Sequence, residues 1–125
     1  MKYYVFYLKP TPAPRQCRSD LWKPRPSVLR YRAFKDEFNR LAARQGLDLS
    51  KHDTLEIVFS ISMPKSWSEK EKQAMCGHPH QQKPDLDNLC KAVLDATGLD
   101  DSHVHQLRLS KVWAIDDCIF LGVVG

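Results

Sequence analysis

The 125-residue sequence lacks three features that would mark a membrane-bound, secreted or disulfide-stabilised protein. No apolar run approaches the roughly 20 residues that a membrane-spanning helix needs. The opening residues 1–8 are too short and too aromatic for a signal peptide, and no small-residue cleavage site follows them. The four cysteines are widely spaced and form no CxxC pair, which indicates reduced thiols. We therefore expect a cytoplasmic protein without a membrane partner.

Acidic residues are scarce in the first part of the chain. Residues 1–35 contain nine Lys or Arg against the single acid Asp20, a local charge of +8, whereas the remainder carries −4 and the whole chain +4. A basic arm joined to an acidic body suits a protein that grips a polyanion with one part and holds a metal with the other. Charge alone also fits the plainer alternative of a solvated basic surface with no partner.

The spacing of apolar residues predicts one α/β (α+β) domain over residues 1–125, in which a small mixed β-sheet packs with two to three helices in the order β-α-β-α-α-β-β. The predicted strands span residues 1–8, 54–63, 103–114 and 118–124, the last two joined by a tight turn at 116–117. The predicted helices run over residues 27–45, from Ser66 or Ser68 to near Gly77, and over 85–97. Ser27 is the expected cap of the first helix, and Gly46 and Gly98 are the expected stops.

Prolines are concentrated after the first strand. Five of the eight lie between residues 10 and 26, so this stretch is expected to be an extended loop. The loop also holds basic residues suited to gripping a nucleic-acid backbone, namely Arg15, Arg18, Lys23 and Arg25. Trp22 lies among them, where it either stacks on bases or pins the loop to the core.

The most informative stretch is KPDLDNLCKAVLDA at residues 83–96, with an acidic pair at 100–101. Clustered carboxylates repel each other and lose hydration, so a chain that gathers them usually has a cation to hold. Asp85 and Asp87 fall at the start of the predicted helix, and Lys91 follows one turn later, where it can face a phosphate. Because the ligands are hard oxygens, Mg²⁺ or Mn²⁺ is the expected ion.

The same acids have ordinary structural alternatives. Asp85 can serve only as an N-cap, and Asp87 only as a favourable first-turn acid. Asp87, Lys91 and Asp95 recur at i, i+4 and i+8, which also fits a surface ion-pair ladder. The pair at 100–101 fits a turn followed by a cap.

A zinc site at Cys76, His78 and His80 is a weaker alternative. Ligands two residues apart are poorly placed for one tetrahedral ion, and the pattern matches no standard zinc spacing. We expect a surface loop near nucleic acid there instead.

The string at 83–96, the acidic pair, and a following strand that contains Lys111-Val112-Trp113 together resemble the RusA family of Holliday-junction resolvases. The segments MPKSWS (63–68) and GHPH (77–80) are similar to phage-type members. The resemblance implies a homodimeric, Mg²⁺-dependent endonuclease, with Mn²⁺ able to substitute, encoded by a bacterium or a phage. Such an enzyme cuts four-way DNA junctions with symmetrically paired nicks.

The resemblance also implies site residues. The metal ligands would be Asp85, Asp87 and Asp101, and the essential lysine would be Lys91. Asn88 would support the site without binding the metal.

Lys83 would grip phosphates together with the basic arm. The connection from Asp95 to the acidic pair is shorter here than is usual for the family, which leaves open whether Asp100 or Asp101 is the third ligand; we assign Asp101 to that role and Asp100 to a supporting one. The alternatives are a non-catalytic module of the same fold that binds branched DNA, and a less selective branched-DNA nuclease.

Overall fold

A four-stranded mixed β-sheet organises the chain, of which the computed structural model describes residues 1–15, 17–98 and 101–124. The strands are β1 (Lys2–Phe6), β2 (Thr54–Ser62), β3 (Gln106–Ala114) and β4 (Cys118–Val124). The helices of the described residues are α1 (Pro26–Arg44), α2 (Glu69–Met75) and α3 (Leu86–Ala96), with short 3-10 helices at Arg18–Leu21, Leu49–Lys51 and Asp101–His103. The predicted fold class and the order β-α-β-α-α-β-β are confirmed.

The strands lie in the spatial order β1-β4-β2-β3. Strand β2 is parallel to β3 and antiparallel to β4, and β1 is antiparallel to β4. The predicted short turn does join β3 to β4, but these strands do not pair with each other, because β2 lies between them. The connection crosses the end of β2, where the Ser62 N–H donates a 2.8 Å hydrogen bond to Asp117 Oδ1.

The core fills the space between one face of the sheet and the helices α1 and α3. Alternate residues of β2, such as Leu55, Ile57 and Phe59, are fully buried, as expected for a strand with a period of two. Helix α1 buries residues at helical spacing, and its Phe38 ring stacks on Phe6 of β1 at 4.3 Å between ring centres. Helix α3 contributes Leu89, Cys90, Ala92, Val93, Leu94 and Ala96.

The residues at the helix ends can be compared with the predicted caps and stops. Helix α1 begins at Pro26 and its N-cap position is Arg25, so the prediction that Ser27 caps it is wrong. Proline is preferred at the first helical position because its missing N–H would have no partner there. Ser68 caps α2 through a capping box with Glu71. Gly46 and Gly98, with φ of 72° and 67°, follow α1 and α3 as predicted.

The segment 77–80, which we expected to be a surface loop, pairs with the outer edge of β3. The His80 N–H donates to the Lys111 carbonyl oxygen over 3.0 Å, and the Trp113 N–H donates to the His78 carbonyl oxygen over 3.0 Å. The buried His80 ring packs 4.3 Å from the Trp113 ring. The segment therefore covers part of a strand edge that would otherwise be open. None of the helices in the described residues has the length and apolar character needed to cross a bilayer.

Candidate active site

The start of α3 carries two carboxylates with different hydrogen bonding. Asp85 occupies the N-cap position, but its side chain accepts no capping hydrogen bond. Asp87 Oδ1 instead accepts from the Asn88 N–H over 2.9 Å, within the first turn of the helix. Both side chains are exposed. The N-cap alternative therefore does not account for Asp85, since an exposed carboxylate at that position normally accepts from the first-turn N–H groups.

Two clefts meet at this end of α3. Asp85 lines one of about 620 Å³, and Asp87 and Lys91 line the other, of about 680 Å³. Asn88 lines both clefts. Asp85 and Asp87 therefore line adjoining clefts, and Asn88 lies at the boundary between these clefts.

Lys91 is exposed, and the ion-pair ladder predicted as an alternative does not form around it. Among the described residues no ion pair joins Lys91 to Asp87 or Asp95. Asp95 Oδ2 accepts a 2.6 Å hydrogen bond from the Tyr31 hydroxyl of α1. Burial, reinforced by this hydrogen bond, raises the pKa of Tyr31 well above its usual value, so the hydroxyl keeps its proton at neutral pH. The Lys91 ammonium is therefore available to a phosphate.

Four cations converge on the cleft that contains Asp85. Its lining includes Lys9, Arg15, Arg30 and Lys83. Arg15 and Lys83 belong to the predicted phosphate-gripping set. Lys9 and Arg30 belong to the basic arm but were not singled out, because their approach to Asp85 depends on how the proline-rich loop and α1 pack. The helical spacing of apolar residues did predict that Arg30 lies on the exposed side of α1, where it could contact DNA.

Arg25, which was predicted to grip a nucleic-acid backbone, binds an acid of its own loop. Its guanidinium donates to the buried Asp20 carboxylate, with Nη2 at 2.9 Å from Oδ2 and Nε at 3.2 Å from Oδ1, and Nη2 also donates to the Arg15 carbonyl oxygen. The hydrogen bonds from Arg25 hold the pKa of Asp20 at about 2. Arg25 thus fastens the loop, whereas Arg18 and Lys23 are exposed and do not line the cleft. Contact of these three residues with DNA stays a prediction.

Lys111 of β3 fixes the approach to α3, a role that the sequence did not suggest. Its Nζ donates hydrogen bonds to the Gln82 carbonyl oxygen at 2.6 Å and the Pro84 carbonyl oxygen at 2.8 Å. On the other side of the motif, the Ala13 N–H donates to the Asn88 carbonyl oxygen over 3.0 Å. The sequence singled out Lys111 only as part of the Lys111-Val112-Trp113 segment, and local patterns cannot connect a strand residue with a loop 27 residues earlier.

A comparison with protein-family models identifies the family of this chain. The model described as endodeoxyribonuclease RusA matches residues 9–120. The chain belongs to the RusA endodeoxyribonuclease family. No curated protein gives a significant match. The RusA match spans the cationic cleft, helix α3 and β3, and it confirms the family that the motif at 83–96 predicted.

Membership in the RusA family makes this protein a nuclease of DNA, and the donor chemistry of the site can be tested against a metal. Asp85 has both carboxylate oxygens free of capping bonds, and Asp87 uses only Oδ1 for Asn88. These hard oxygens fit Mg²⁺. Burial raises the pKa of the neighbouring Cys90 to about 11, so this thiol stays protonated at neutral pH in the metal-free protein.

The predicted third metal ligand belongs to the acidic pair that follows α3. Asp100 lies outside the described residues, and Asp101 opens the 3-10 helix Asp101–His103 with its side chain outside them. Over residues 1–15, 17–98 and 101–124, no group of three or more His, Cys, Asp or Glu side chains is arranged to hold an ion. Cys76 and His78 are exposed, whereas His80 is buried against Trp113.

Proposed function

We propose that this RusA-family protein is a Mg²⁺-dependent resolvase that cuts four-way DNA junctions with symmetrically paired nicks. The observation that carries the proposal is the Asp85 cleft, which a carboxylate without a capping role shares with four cations. A carboxylate that shares a cleft with cations suits a phosphodiester and a metal ion bound side by side.

Asp85, Asp87 and Asp101 would hold Mg²⁺, and Mn²⁺ would substitute for it. The bound ion would lower the pKa of a water molecule, so that a nucleophile is available to attack phosphorus near neutral pH, and it would offset charge on the phosphate oxygens. Asn88 would support the site through its N–H, because the hydrogen bond from this group to Asp87 Oδ1 would restrict rotation of the carboxylate.

The chain's own cations would bind and orient the scissile strand. Lys9, Arg15, Arg30 and Lys83 would hold phosphates in the Asp85 cleft. Lys91, which has no ion-pair partner in the described part of the chain, would stabilise the negative charge that grows on phosphate in the transition state. Positioning and charge stabilisation are the main contributions a protein makes to this class of reaction.

The homodimer is part of the proposal because of the symmetry of the substrate. A four-way junction has near-twofold symmetry, and a C₂ dimer would present two equal clefts to the two strands that are nicked. A lone protomer would produce single nicks.

The test uses a labelled synthetic four-way junction with Mg²⁺ or with EDTA. A linear duplex of the same sequence and the variants Asp87→Asn and Asp36→Asn accompany it; Asp36 is an exposed acid on α1 that lines neither cleft, and it serves as the matched control. Paired nicks on the junction alone, lost with EDTA and in Asp87→Asn but kept in Asp36→Asn, are expected. Binding without cutting would instead favour the non-catalytic module, and equal cutting of linear duplex would favour a less selective nuclease.

A further inference from the structure

Trp22 is 72% exposed, and its neighbour Leu21 is 81% exposed. The alternative in which Trp22 pins the loop to the core is therefore wrong. A tryptophan ring left in water contributes no buried apolar area to folding, and exposed aromatic rings are typical of contact surfaces. Of the two roles predicted for Trp22, the one that remains is contact with a base.

The backbone that presents Trp22 is well fixed. The Trp22 and Lys23 N–H groups both donate to the Ser19 carbonyl oxygen, at 3.2 Å and 2.8 Å. The buried Asp20 carboxylate accepts from the N–H groups of Cys17 and Arg25 on either side of this turn. Because the turn is ordered before any partner binds, little conformational entropy remains to be lost on binding.

The surroundings of Trp22 identify the chemistry of its partner. Arg18 and Lys23 flank it and are exposed. The guanidinium of Arg25, which holds Asp20, also donates to the carbonyl oxygen of Arg15, and the Arg15 side chain lines the Asp85 cleft. An aromatic ring between cations, tethered to a phosphate-binding cleft, matches a polyanion with flat apolar faces. A second copy of this basic arm would be repelled.

We propose that Trp22 stacks on an unstacked nucleobase of the branched DNA whose backbone lies in the Asp85 cleft. Bases lose stacking partners where strands exchange at a junction, whereas every base inside a linear duplex is already stacked. This inference rests on the proposed function for the branched substrate, and it adds a base contact to a site otherwise built from phosphate contacts.

The experiment measures DNA affinity in EDTA, so that cutting plays no part. Wild type, Trp22→Ala, Trp22→Phe and Leu21→Ala are titrated against a four-way junction and a linear duplex of the same sequence. Stacking on one base is worth about 1–3 kcal/mol, so Trp22→Ala should raise the junction Kd about 5- to 150-fold. Trp22→Phe, which keeps an aromatic face, should stay within about threefold of wild type. Leu21→Ala, the matched exposed apolar control, should leave the Kd unchanged, as should Trp22→Ala on the duplex.

Three results would overturn the inference: an unchanged junction Kd in Trp22→Ala, an equal rise in Kd in Leu21→Ala, or an equal rise on linear duplex. A fluorescence reading adds a direct test, since the fall in tryptophan emission on binding junction should be smaller in Trp22→Phe than in wild type. Failure here is distinct from failure of the proposed function. A wild type that cuts junctions while Trp22→Ala binds them normally would refute only the stacking contact, and a wild type that neither prefers nor cuts junctions would refute both.

Discussion

The Lys111 ammonium donates a 2.8 Å hydrogen bond to the Pro84 carbonyl oxygen, so a residue of β3 holds the peptide that leads into the acidic motif. A second bond from the same Nζ to the Gln82 carbonyl oxygen fixes the other end of this short loop. The position of Asp85 therefore depends on a contact between segments that are distant in sequence.

Removing the Lys111 donors should slow cutting more than it weakens binding. In Lys111→Met the loop loses both hydrogen bonds, and a displacement of about 1 Å at a reacting centre can cost on the order of 100-fold in rate. Lys111→Arg, which still has donors for both carbonyls, should recover much of the loss. Single-turnover cutting rates and junction Kd values check this, with Lys70→Met on the exposed side of α2 as control. Wild-type cutting by Lys111→Met would contradict the positioning role.

The two motif carboxylates should separate activity from stability. Asp85→Asn should abolish cutting yet change the free energy of unfolding by no more than about 0.5 kcal/mol, because the side chain accepts no capping bond. Asp87→Asn should behave similarly, since an amide oxygen can still accept from the Asn88 N–H. Urea unfolding and junction cutting measure the two quantities. A large loss of stability in Asp85→Asn would show that its role is structural.

The cations of the Asp85 cleft should account for part of the salt dependence of DNA binding. Replacing Lys9 or Arg30 with Gln should weaken binding to all DNA sequences and reduce the slope of log K against log salt by about 1 for each phosphate that the variant no longer neutralises. Lys70→Gln, which removes an equal charge from α2, should leave the slope unchanged. Affinities measured over a range of salt concentrations give the comparison. Equal slopes for all three variants would place the DNA elsewhere.

The Asp20–Arg25 pair predicts a pH dependence in the loop. The folded pKa of Asp20, about 2, lies below the ordinary value of 3.8, so its stabilisation is complete above about pH 4 and is lost as the pH falls through 2. The amide NMR signals of Cys17 and Arg25, which donate to Asp20, should titrate with a midpoint near 2. Asp20→Asn should lack this transition. A midpoint near the ordinary value would mean that Arg25 does not hold the carboxylate in solution.

The Tyr31–Asp95 hydrogen bond joins α1 to α3 and should contribute to stability alone. Tyr31→Phe should lower the free energy of unfolding by about 1 kcal/mol, the usual net value of such a bond, and by more if Asp95 is left poorly solvated. Tyr7→Phe, at an 84% exposed position, is the matched control and should have no effect. Cutting per folded molecule should be unchanged in both variants. A loss of cutting in Tyr31→Phe at full stability would give Asp95 a direct role in the site.

Local patterns in the sequence were enough to predict the family, the class of fold and the helix that carries the acids. The motif at 83–96 is local: spacing sets which side of α3 is buried, and Pro84 and Gly98 limit the helix, so these features can be read without knowing what packs nearby. The acidic pair at 100–101 was equally visible, although its side-chain placement lies outside the described residues.

Which side chains share a cleft became clear only from the packing of the folded chain. Whether Asp85 caps its helix, whether Arg25 faces DNA or Asp20, and whether Trp22 is buried all depend on contacts between distant segments. The sequence offered both options for Asp85 and Trp22, and it did not indicate that Lys9 and Arg30 share a cleft with Asp85 or that Lys111 holds the loop before it. The physical reason is that propensity and capping act over a few residues, whereas clefts form where strands, loops and helices pack together, and local patterns do not encode that packing.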